Sequence, residues 1–376
     1  MFRIDGVDGG ARAATLSTLH GDVLTPFFMP VATKGAAKFL SSQDLQDAGS
    51  QAIISNAFIL SLRPGLDVVR DLHEFMSFSG PIFTDCGAFQ MARESFFLGI
   101  SEEGIRFRDP YDGRRLVLGP RMLMDIQTRI GSDVAMALDN MQDPKASLEQ
   151  ATDAVRLTTK WHTQCLEYRR QGQALFAIGQ GALFADLRAD HMRELAFLPF
   201  DGFAIGGLAL GEAKQEMFAM VDASVPFMPQ DKPRYLMGLG TPEDLLEAVA
   251  RGVDCFDSAY PTRVARHRLF FTRHGPLNVS AAAFARSDDP IDMDCACRTC
   301  RSFSRRYIYH LLQMHEPTVH MLTSFHNIFF IHSLLARARA AILEGRFAQF
   351  KSSFLADYRM RGRGAGRSED SPPSSS

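Results

Sequence analysis

The chain has 376 residues, of which 46% are hydrophobic and 22% are charged, a balance typical of a globular protein with a sizeable core. Its formal net charge is −2, so the molecule as a whole does not attract nucleic acid, and a site for a polyanion must be a local basic patch. No apolar stretch is long enough to cross a bilayer, and the first residues lack a signal-peptide pattern. We therefore expect a cytoplasmic protein without a membrane partner.

Short apolar runs recur along the chain and are separated by helix-like stretches. Continuous apolar runs of this kind suit strands that are buried on both faces, as in a parallel sheet. Thr241 as N-cap, Pro242 in the first turn and Gly252 as stop predict one of the intervening helices. Eight strand–helix units predict an α/β fold of the (β/α)8 TIM-barrel type. The eight predicted strands lie at 25–33, 52–56, 81–87, 133–139, 175–181, 202–208, 234–240 and 253–258.

Polar residues and glycines occupy the predicted strand ends, where barrel enzymes carry their chemistry. Such residues also begin ordinary turns, but three carboxylates and an amide on separate strands favour a functional site. Asp257 in particular closes a buried run, which is costly unless its carboxylate is paired, hydrogen-bonded or used. The residues at these ends are Asn56, Asp85, Asp139, Gln180, Gly206, Gly207, Met237, Gly238 and Asp257.

Three of the six cysteines, Cys295, Cys297 and Cys300, form a C-x-C-x-x-C run. In a chain of this size the pattern favours a metal over a disulfide framework, although unliganded cysteines or a redox pair are the alternative. A structural zinc ion needs four protein ligands, and the spacing does not choose the fourth. The downstream candidates are His310, His315, His320, His326 and His332.

The carboxylates at the strand ends suit glycosyl transfer. Asp257 could attack an anomeric carbon as a nucleophile, while Asp85 protonates the leaving group and later deprotonates the incoming one. Asp139 and Gln180 offer the acceptor and donor that a purine edge needs. A metal-dependent hydrolase fits less well because no histidine lies on these strands. A polysaccharide hydrolase also fits less well because Trp161 is the single tryptophan.

The domain organisation follows from breaks in the strand–helix rhythm. We predict one barrel domain over 1–360, which includes a zinc-binding subdomain at about 285–345, and a disordered tail at 361–376. The long segment 90–132 contains GIRFRDPYDGRRLVL, which predicts a hairpin that turns at PYDG. A segment of this length over a barrel mouth serves as a binding wall or is decoration. The residues from about 324 to 360 have a helical pattern.

Taken together, these motifs resemble the bacterial-type tRNA-guanine transglycosylases, also called queuine tRNA-ribosyltransferases, from about Thr25 to Tyr358. The resemblance implies a (β/α)8 barrel with a zinc-binding insertion. It also implies exchange of the wobble guanine of GUN-anticodon tRNAs (Asp, Asn, His, Tyr) for a 7-deazaguanine in queuosine biosynthesis. The motifs that carry the resemblance are TPFFMPVAT, FTDCGAFQ, ALDN, GQG, GFAIGGLALGE, RYLMGLGTPEDL, FDSAYPTRVARH, CACRTC and FHNI.

The resemblance implies roles for the reacting and metal-binding residues. Asp257 matches the nucleophile that forms a covalent ribosyl intermediate, and Asp85 matches the general acid/base. His326 matches the fourth zinc ligand beside the three cysteines. The family usually dimerises, so we expect a homodimer.

The resemblance also implies how the base is held. Asp139, Gln180 and the backbone around Gly207 match the groups that recognise the base, and Phe89 and Met237 match the pair that sandwiches it. Leu208 matches a position whose carbonyl meets the aminomethyl group of the incoming base, and Glu212 lies behind that peptide.

Arg263 and Arg266, with His267 and Arg268 close by, form a basic step beside Asp257 that suits the phosphates of an anticodon loop. The alternative is a solvated turn, because surface arginine is common. Arg305 and Arg306 form a second candidate patch near the cysteines.

Four residues depart from the common bacterial pattern, in which Ser and Gly stand at the positions of Cys86 and Ala88, and an acid and often a Cys at Asn140 and Met141. The incoming base is therefore open between 7-aminomethyl-7-deazaguanine and queuine, and LALGE leads us to favour the aminomethyl precursor. Rival interpretations are a non-catalytic partner subunit, an enzyme that modifies DNA, and a zinc-containing RNA-binding protein without activity.

Overall fold

The computed structural model describes residues 1–87, 96–280 and 282–360, with the side chains of residues 359 and 360 excepted. The strands are β1 (Phe2–Asp8), β2 (Ala11–Thr18), β3 (Gly21–Thr25), β4 (Phe27–Pro30), β5 (Ile53–Asn56), β6 (Ile82–Asp85), β7 (Phe97–Ser101), β8 (Gly104–Arg108), β9 (Arg115–Leu118), β10 (Val134–Met136), β11 (Ala174–Gly179), β12 (Gly202–Ile205), β13 (Arg234–Leu236), β14 (Cys255–Ser258), β15 (Leu269–Thr272) and β16 (Gly275–Asn278).

The helices lie mainly between the strands of the central sheet. They are α1 (Ser42–Asp47), α2 (Ala57–Leu60), α3 (Leu72–Met76), α4 (Pro120–Ile130), α5 (Leu148–Glu167), α6 (Ala185–Ala196), α7 (Lys214–Ser224), α8 (Pro242–Ala250), α9 (Tyr260–Arg266), α10 (Arg298–Ser302), α11 (Arg305–Gln313), α12 (Thr318–Leu343) and α13 (Phe347–Met360). None of the helices in the described ranges combines the length and the apolar character needed to cross a bilayer.

Eight parallel strands form the central sheet in the order β4-β14-β13-β12-β11-β10-β6-β5. The two ends of the sheet meet through a parallel bridge between Val31 and Ile54, where the Ala32 N–H donates to the Ile54 carbonyl at 2.7 Å. Seven of the eight strands lie within an apolar run of the sequence, and β11 begins one residue before its run. The predicted (β/α)8 barrel is therefore confirmed.

Alternating side chains of the barrel strands fill its interior, because successive residues of a strand point to opposite faces. Met29, Ile54, Phe83, Ile178 and Tyr235 belong to this inner core. The residue two positions after each inner side chain faces the same way at the carboxyl end of the strand. Because of this alternation, a ring of residues lies at the barrel mouth, namely Val31, Asn56, Asp85, Gln180, Gly206, Met237 and Asp257.

The antiparallel sheet β1-β2-β3 covers the opposite end of the barrel. Leu16 and Val23 of this sheet join the inner core. Arg12 reaches Asp254, which directly precedes β14, and its Nη1 donates to the Gln230 carbonyl at 2.8 Å. Because this end is closed by packed side chains, the carboxyl end of the strands is the accessible one.

The segment after β6 contains a three-stranded sheet of β7, β8 and β9, and the predicted hairpin is the β8–β9 pair. The hairpin turns at PYDG, where the Gly113 N–H donates to the Asp109 carbonyl at 2.9 Å. Trp161 on α5 is fully buried and its indole N–H donates to the Glu102 carbonyl at 3.1 Å. This contact joins the three-stranded sheet to the helical layer of the barrel.

The chain after the barrel forms the hairpin β15–β16 and four helices, α10 to α13. The helix α12 has 26 residues and begins at Thr318, before the helical pattern predicted from about 324. A short break separates α12 from α13, and Gly345 takes a φ of +67° there. The predicted tail 361–376 lies outside the described residues, and the proposed domain boundaries stay a prediction.

Candidate active site

A cavity of about 480 Å³ opens at the barrel mouth, a size in the range of small-molecule sites. Its wall is built from the ends of separate strands and the loops that follow them. Residues that are far apart in the chain therefore meet around one space. The predicted site residues that line it are Asp85, Asp139, Gly207, Leu208, Met237, Asp257 and Arg263.

The carboxylate of Asp257 is held by two donors on the same oxygen. The Tyr235 hydroxyl donates to Oδ1 at 2.5 Å, and the Gly238 N–H donates to it at 3.0 Å. Burial raises the pKa of Asp257, whereas these two hydrogen bonds lower it. The two bonds favour the ionised form and fix the orientation of the carboxylate.

Asp85 lies in the same cavity, and its pKa is also raised, but no side-chain hydrogen bond within the described ranges opposes the shift. Its Oδ1 is buried, and among the described residues it has no hydrogen-bond partner. Burial, followed by the negative charges of Asp257 and Asp139, raises the pKa of Asp85 to about 8. Asp85 is therefore mostly protonated at neutral pH. Two neighbouring carboxyl groups with different environments suit an acid and a nucleophile.

Asp139 and Gln180 are bound to each other. The Gln180 Nε2 donates to Asp139 Oδ2 at 2.6 Å, and the Cys86 thiol donates to Asp139 Oδ1 at 3.6 Å. Burial raises the pKa of Asp139 to about 6, although the two hydrogen bonds act to lower it. Of the two groups predicted to recognise a base, Asp139 lines the cavity and Gln180 does not, but their hydrogen bond holds the Gln180 amide beside the Asp139 carboxylate and orients both.

The loop after β12 requires its two glycines because it passes directly over Gln180. A Cβ on Gly206 would stand 2.5 Å from Gln180 Nε2, and a Cβ on Gly207 would stand 2.7 Å from Gln180 Oε1. Gly207 also has a φ of +68°, which favours glycine. Residues with side chains would push the Gln180 amide out of its place.

Glu212 fixes the peptide that follows Leu208. Its carboxylate accepts from the Ala209 N–H at 2.5 Å and from the Leu210 N–H at 2.9 Å. Because the N–H and C=O of a trans peptide point in opposite directions, the Leu208 carbonyl faces away from Glu212. This carbonyl oxygen lies 4.0 Å from the place of a Cβ on Gly238, which lines the cavity.

The basic step lies on α9, directly after Asp257. Arg263 is exposed, lines the cavity, and has its guanidinium carbon 5.6 Å from the Tyr260 ring centroid. Arg266 is half-buried, and burial and the charge of Arg263 lower its pKa. The second candidate patch differs, because Arg305 and Arg306 pair with Asp289 and Asp288 at 3.5 and 2.9 Å.

The three cysteines and His326 form one cluster. The His326 Nδ1 lies 3.7, 3.5 and 3.3 Å from the sulfurs of Cys295, Cys297 and Cys300. A tetrahedral zinc ion with ordinary bond lengths places sulfur and nitrogen ligands about 3.5 Å apart. The other imidazole nitrogen, Nε2, contacts the Phe271 carbonyl at 2.7 Å, which leaves Nδ1 for a metal. The cluster is therefore consistent with a zinc site.

A second group of possible ligands, His20, His73 and Asp133, lies at the other end of the barrel. The two imidazole rings stack with centroids 3.6 Å apart, and both contact the Asp133 carboxylate at 2.9 Å. Stacked rings hold their lone pairs in separate parallel planes, so the pairs do not converge on one ion. The group is therefore a hydrogen-bonded cluster.

Sequence reasoning missed Tyr235 and Asn327. Tyr235 precedes Met237 by two residues, so the period of the strand already places both on one face. Asn327 follows His326 and is fully buried, and its Nδ2 donates to the Pro261 carbonyl at 3.0 Å. Its Oδ1 accepts from the Phe271 N–H at 3.0 Å. No pattern in the sequence distinguishes this asparagine from a surface residue.

Two predicted positions, Phe89 and Ala88, lie outside the described residues. The other predicted substrate-binding residues lie at the mouth or in the loops that surround it, and the four predicted metal ligands lie together. Asn140, one of the departures, is buried, and its Oδ1 accepts from Gln142 at 3.0 Å. Met141 lines the cavity.

Comparison with known proteins gives a consistent result. A family model described as Queuine tRNA-ribosyltransferase matches residues 8–360. A relative of that name from Pelotomaculum thermopropionicum is 44% identical, with 93% of this chain and 95% of the relative covered. A relative of the same name from Nitratidesulfovibrio vulgaris is 44% identical, with 95% of this chain and 97% of the relative covered. Another from Thermotoga neapolitana is 40% identical, with 96% of this chain and 99% of the relative covered. The chain therefore belongs to the queuine tRNA-ribosyltransferase family, and it is an enzyme of this ribosyltransferase class.

Proposed function

We propose that the protein exchanges the wobble guanine of GUN-anticodon tRNAs (Asp, Asn, His, Tyr) for a 7-deazaguanine, through a covalent Asp257–ribosyl intermediate. The observation that carries the proposal is the pair of carboxyl groups in one cavity, of which Asp85 is held as the acid and Asp257 is supported as the carboxylate. Glycosyl exchange with retention needs such a pair.

In the first half-reaction, the Asp257 carboxylate attacks the ribose anomeric carbon. The bond between this carbon and the guanine N9 breaks, and the bonding electron pair leaves with the base. Asp85 donates its proton to the departing base, so guanine leaves as a neutral molecule and Asp85 becomes a carboxylate. Hydrogen bonds from Tyr235 and Gly238 keep Asp257 oriented for the attack.

In the second half-reaction, the incoming deazaguanine occupies the same cavity. The Asp85 carboxylate takes the proton from the N9 of the incoming base, which attacks the anomeric carbon and displaces Asp257. Both carboxyl groups then return to their starting states. Two displacements at one carbon retain its configuration.

Recognition of the base follows from the groups around the cavity. We infer that Asp139 accepts from the ring N–H and the exocyclic amino group, and that the Gln180 amide and the Gly207 N–H donate to the 6-oxygen. Met237 packs on one face of the base, and Phe89 is proposed for the other face. A flipped-out base read in this way is the usual mode of sequence-specific RNA recognition.

The Leu208 carbonyl and Glu212 favour 7-aminomethyl-7-deazaguanine as the incoming base. A carbonyl on the cavity side can accept from an ammonium group, and Glu212 holds the peptide in this orientation by accepting from the Ala209 N–H. Competition between the aminomethyl base and queuine for the same tRNA tests this choice. Preferred incorporation of queuine would contradict it.

The surroundings of the site suggest further proposals. We propose that Arg263 and Arg266 contact phosphates of the anticodon loop, because both lie on α9, the helix that follows the proposed nucleophile directly in the chain. The four-ligand cluster holds one zinc ion, and a closed set of protein ligands makes this ion structural. We further propose a homodimer in the cytoplasm and a single barrel domain over 1–360 that includes the zinc-binding subdomain.

The decisive experiment measures incorporation of radiolabelled guanine into unmodified tRNA for Asp, Asn, His or Tyr. We expect wild type to incorporate label and Asp257→Ala to incorporate none. Denaturing gels should show a covalent protein–tRNA band with wild type but not with Asp257→Ala. Asp153→Ala is the matched control, because it removes a carboxylate on α5 whose side chain is 69% exposed and does not line the cavity.

Other outcomes point to the rival interpretations. Binding of tRNA without exchange by folded, metal-loaded wild type would indicate a partner subunit or a non-catalytic RNA-binding protein. Exchange into duplex DNA but not into tRNA would indicate an enzyme that modifies DNA. Exchange that survives Asp257→Ala would refute the assigned nucleophile.

A further inference from the structure

A buried cation lies behind the base-recognition loops. Arg188, on α6, is 1% exposed. Its Nε donates to the Ala182 carbonyl at 2.6 Å, and its Nη2 donates to the Gly206 carbonyl at 3.0 Å. Its Nη1 is buried and, within the described ranges, has no hydrogen-bond partner. A buried guanidinium that is bonded to backbone carbonyls costs folding free energy. A residue in such a position is therefore a candidate for a functional role.

Arg188 joins two loops that carry proposed recognition groups. Ala182 lies two residues after Gln180, at the end of β11, while Gly206 and Gly207 follow β12. The approach depends on Gly181, where a Cβ would stand 2.7 Å from the Arg188 Cγ. The guanidinium thus fixes the distance between Gln180 and the glycine pair.

The bond to Gly206 has a consequence for the next amide. The C=O of Gly206 and the N–H of Gly207 belong to the same trans peptide, so they point in opposite directions. With the C=O on Arg188, the Gly207 N–H points away from the guanidinium, and both glycines line the cavity. A cation on a carbonyl polarises the whole peptide and makes its N–H a stronger donor.

Arg188 keeps its charge at neutral pH. Burial lowers its pKa to about 9, and the negative charge of Glu212 acts in the opposite direction. Glu212 itself accepts from the Ala209 and Leu210 N–H groups, three and four residues after the Gly206 carbonyl. A cation on one side and an anion on the other therefore hold the same loop.

We propose that Arg188 is a positioning residue that holds and polarises the Gly206–Gly207 peptide, so that the Gly207 N–H selects bases with an oxygen acceptor at the purine 6-position. This inference rests on the proposed function, because it deepens the recognition step of the same cavity. It assigns to α6 a part in base selection although Arg188 does not line the cavity.

The test compares guanine with 6-thioguanine, which carry the same ring N–H and amino donors but differ in the acceptor atom. Sulfur is the weaker acceptor, so we expect wild type to bind guanine about tenfold more tightly by calorimetry. In Arg188→Met, guanine affinity should fall by about 10–30-fold, whereas 6-thioguanine affinity should fall by less than about threefold. The preference for oxygen should therefore nearly disappear.

Two further variants keep the test decisive. Arg188→Lys retains the charge but reaches fewer carbonyls, so it should lose part of the preference, and it decides the matter if Arg188→Met does not fold. Asp139→Asn is the matched control. It changes the carboxylate that accepts from the ring N–H and the amino group, and guanine and 6-thioguanine both carry these donors. It should weaken both bases equally.

The outcomes separate this inference from the proposed function. An equal loss for both bases in the Arg188 variants would show a structural role alone and would overturn the inference. In that case guanine exchange by wild type would leave the proposed function intact. Failure of wild type to bind guanine or to exchange it would overturn both.

Discussion

At the barrel mouth and directly behind it, some buried polar atoms have no hydrogen-bond partner among the described residues, whereas the atoms of the four-ligand cluster contact one another. Within the described ranges, Asp85 Oδ1 and Arg188 Nη1 have no hydrogen-bond partner. In the cluster, by contrast, the His326 Nδ1 lies close to three sulfurs and its Nε2 contacts the Phe271 carbonyl at 2.7 Å. The mouth therefore carries a cost in folding free energy, and the cluster provides stability once a metal is bound.

The difference indicates which region each kind of mutation should affect. Substitutions that remove a proposed reacting group at the mouth should change activity strongly while leaving the fold intact or even stabilising it. Substitutions in the cluster should lower stability first and activity only as a result. The four predictions below test this division, beginning with the largest expected effect.

Asp85→Asn should lower tRNA exchange by on the order of 10³-fold or more, because the acid for the leaving base is lost. It should also stabilise the fold by up to about 4 kcal/mol at pH 7, because folded wild type must retain a proton on Asp85 that the unfolded chain releases, whereas the amide needs none. The folded state of wild type retains the proton up to its raised pKa of about 8. The advantage of the variant should therefore grow as the pH rises from about 4 to about 8.

Thermal unfolding of both proteins at several pH values measures this effect. In parallel, wild-type exchange should fall above about pH 8, where Asp85 loses its proton. If the variant is less stable than wild type at every pH, buried Asp85 does not lower the stability of the wild-type fold, and this prediction is wrong.

Cys297→Ala should lose the metal and destabilise the protein by on the order of 3–5 kcal/mol. Cys165→Ala is the matched control, because Cys165 is also a fully buried thiol but does not belong to the cluster. Elemental analysis and thermal unfolding measure the two consequences. If the protein with Ala at position 297 still binds one metal ion per chain, the assigned ligand set is wrong.

Tyr235→Phe should reduce exchange by about tenfold at acidic pH and less at neutral pH. The Tyr235 hydroxyl stabilises the ionised form of Asp257, so its removal raises the pKa of Asp257. The acidic limb of the pH–rate profile should therefore move to higher pH. An unchanged limb with a uniformly lower rate would show that the hydroxyl only shapes the cavity.

Cys86→Ser should have the smallest effect, within about threefold on exchange. A hydroxyl is a stronger donor than a thiol, so the contact with the Asp139 carboxylate should strengthen and lower the pKa of Asp139. The Michaelis constant for guanine, followed against pH, is the suitable measurement. A loss of more than about tenfold would mean that the sulfur has a separate role.

The sequence was sufficient for the barrel and for most of its mouth. Buried parallel strands appear as continuous apolar runs, and the period of two then places Asp85, Gln180 and Asp257 at the strand ends. The groups proposed to react and to recognise the base can therefore be located without any knowledge of their contacts.

The supporting contacts could not be predicted, because they depend on tertiary packing. From the sequence alone, Tyr235 looks like an ordinary core residue of an apolar run. In the same way, Arg188 looks like an ordinary surface cation of a helix. The choice of His326 also came only from resemblance. His320, His326 and His332 lie six residues apart on α12, so they point to three different sides of the helix, and the sequence does not show which side faces the cysteines.

Two neighbouring residues on α12 connect the four-ligand cluster to the barrel mouth. His326 belongs to the metal cluster, while Asn327 holds the Pro261 carbonyl at the start of α9, the helix that carries Arg263. If the proposed zinc ion occupies the cluster, its supply should limit tRNA modification even though the proposed ion takes no part in bond making. Without the proposed ion the protein would retain its carboxylates and lose the alignment of Arg263 for its proposed contact with tRNA, so the rate of modification would follow the supply of the metal.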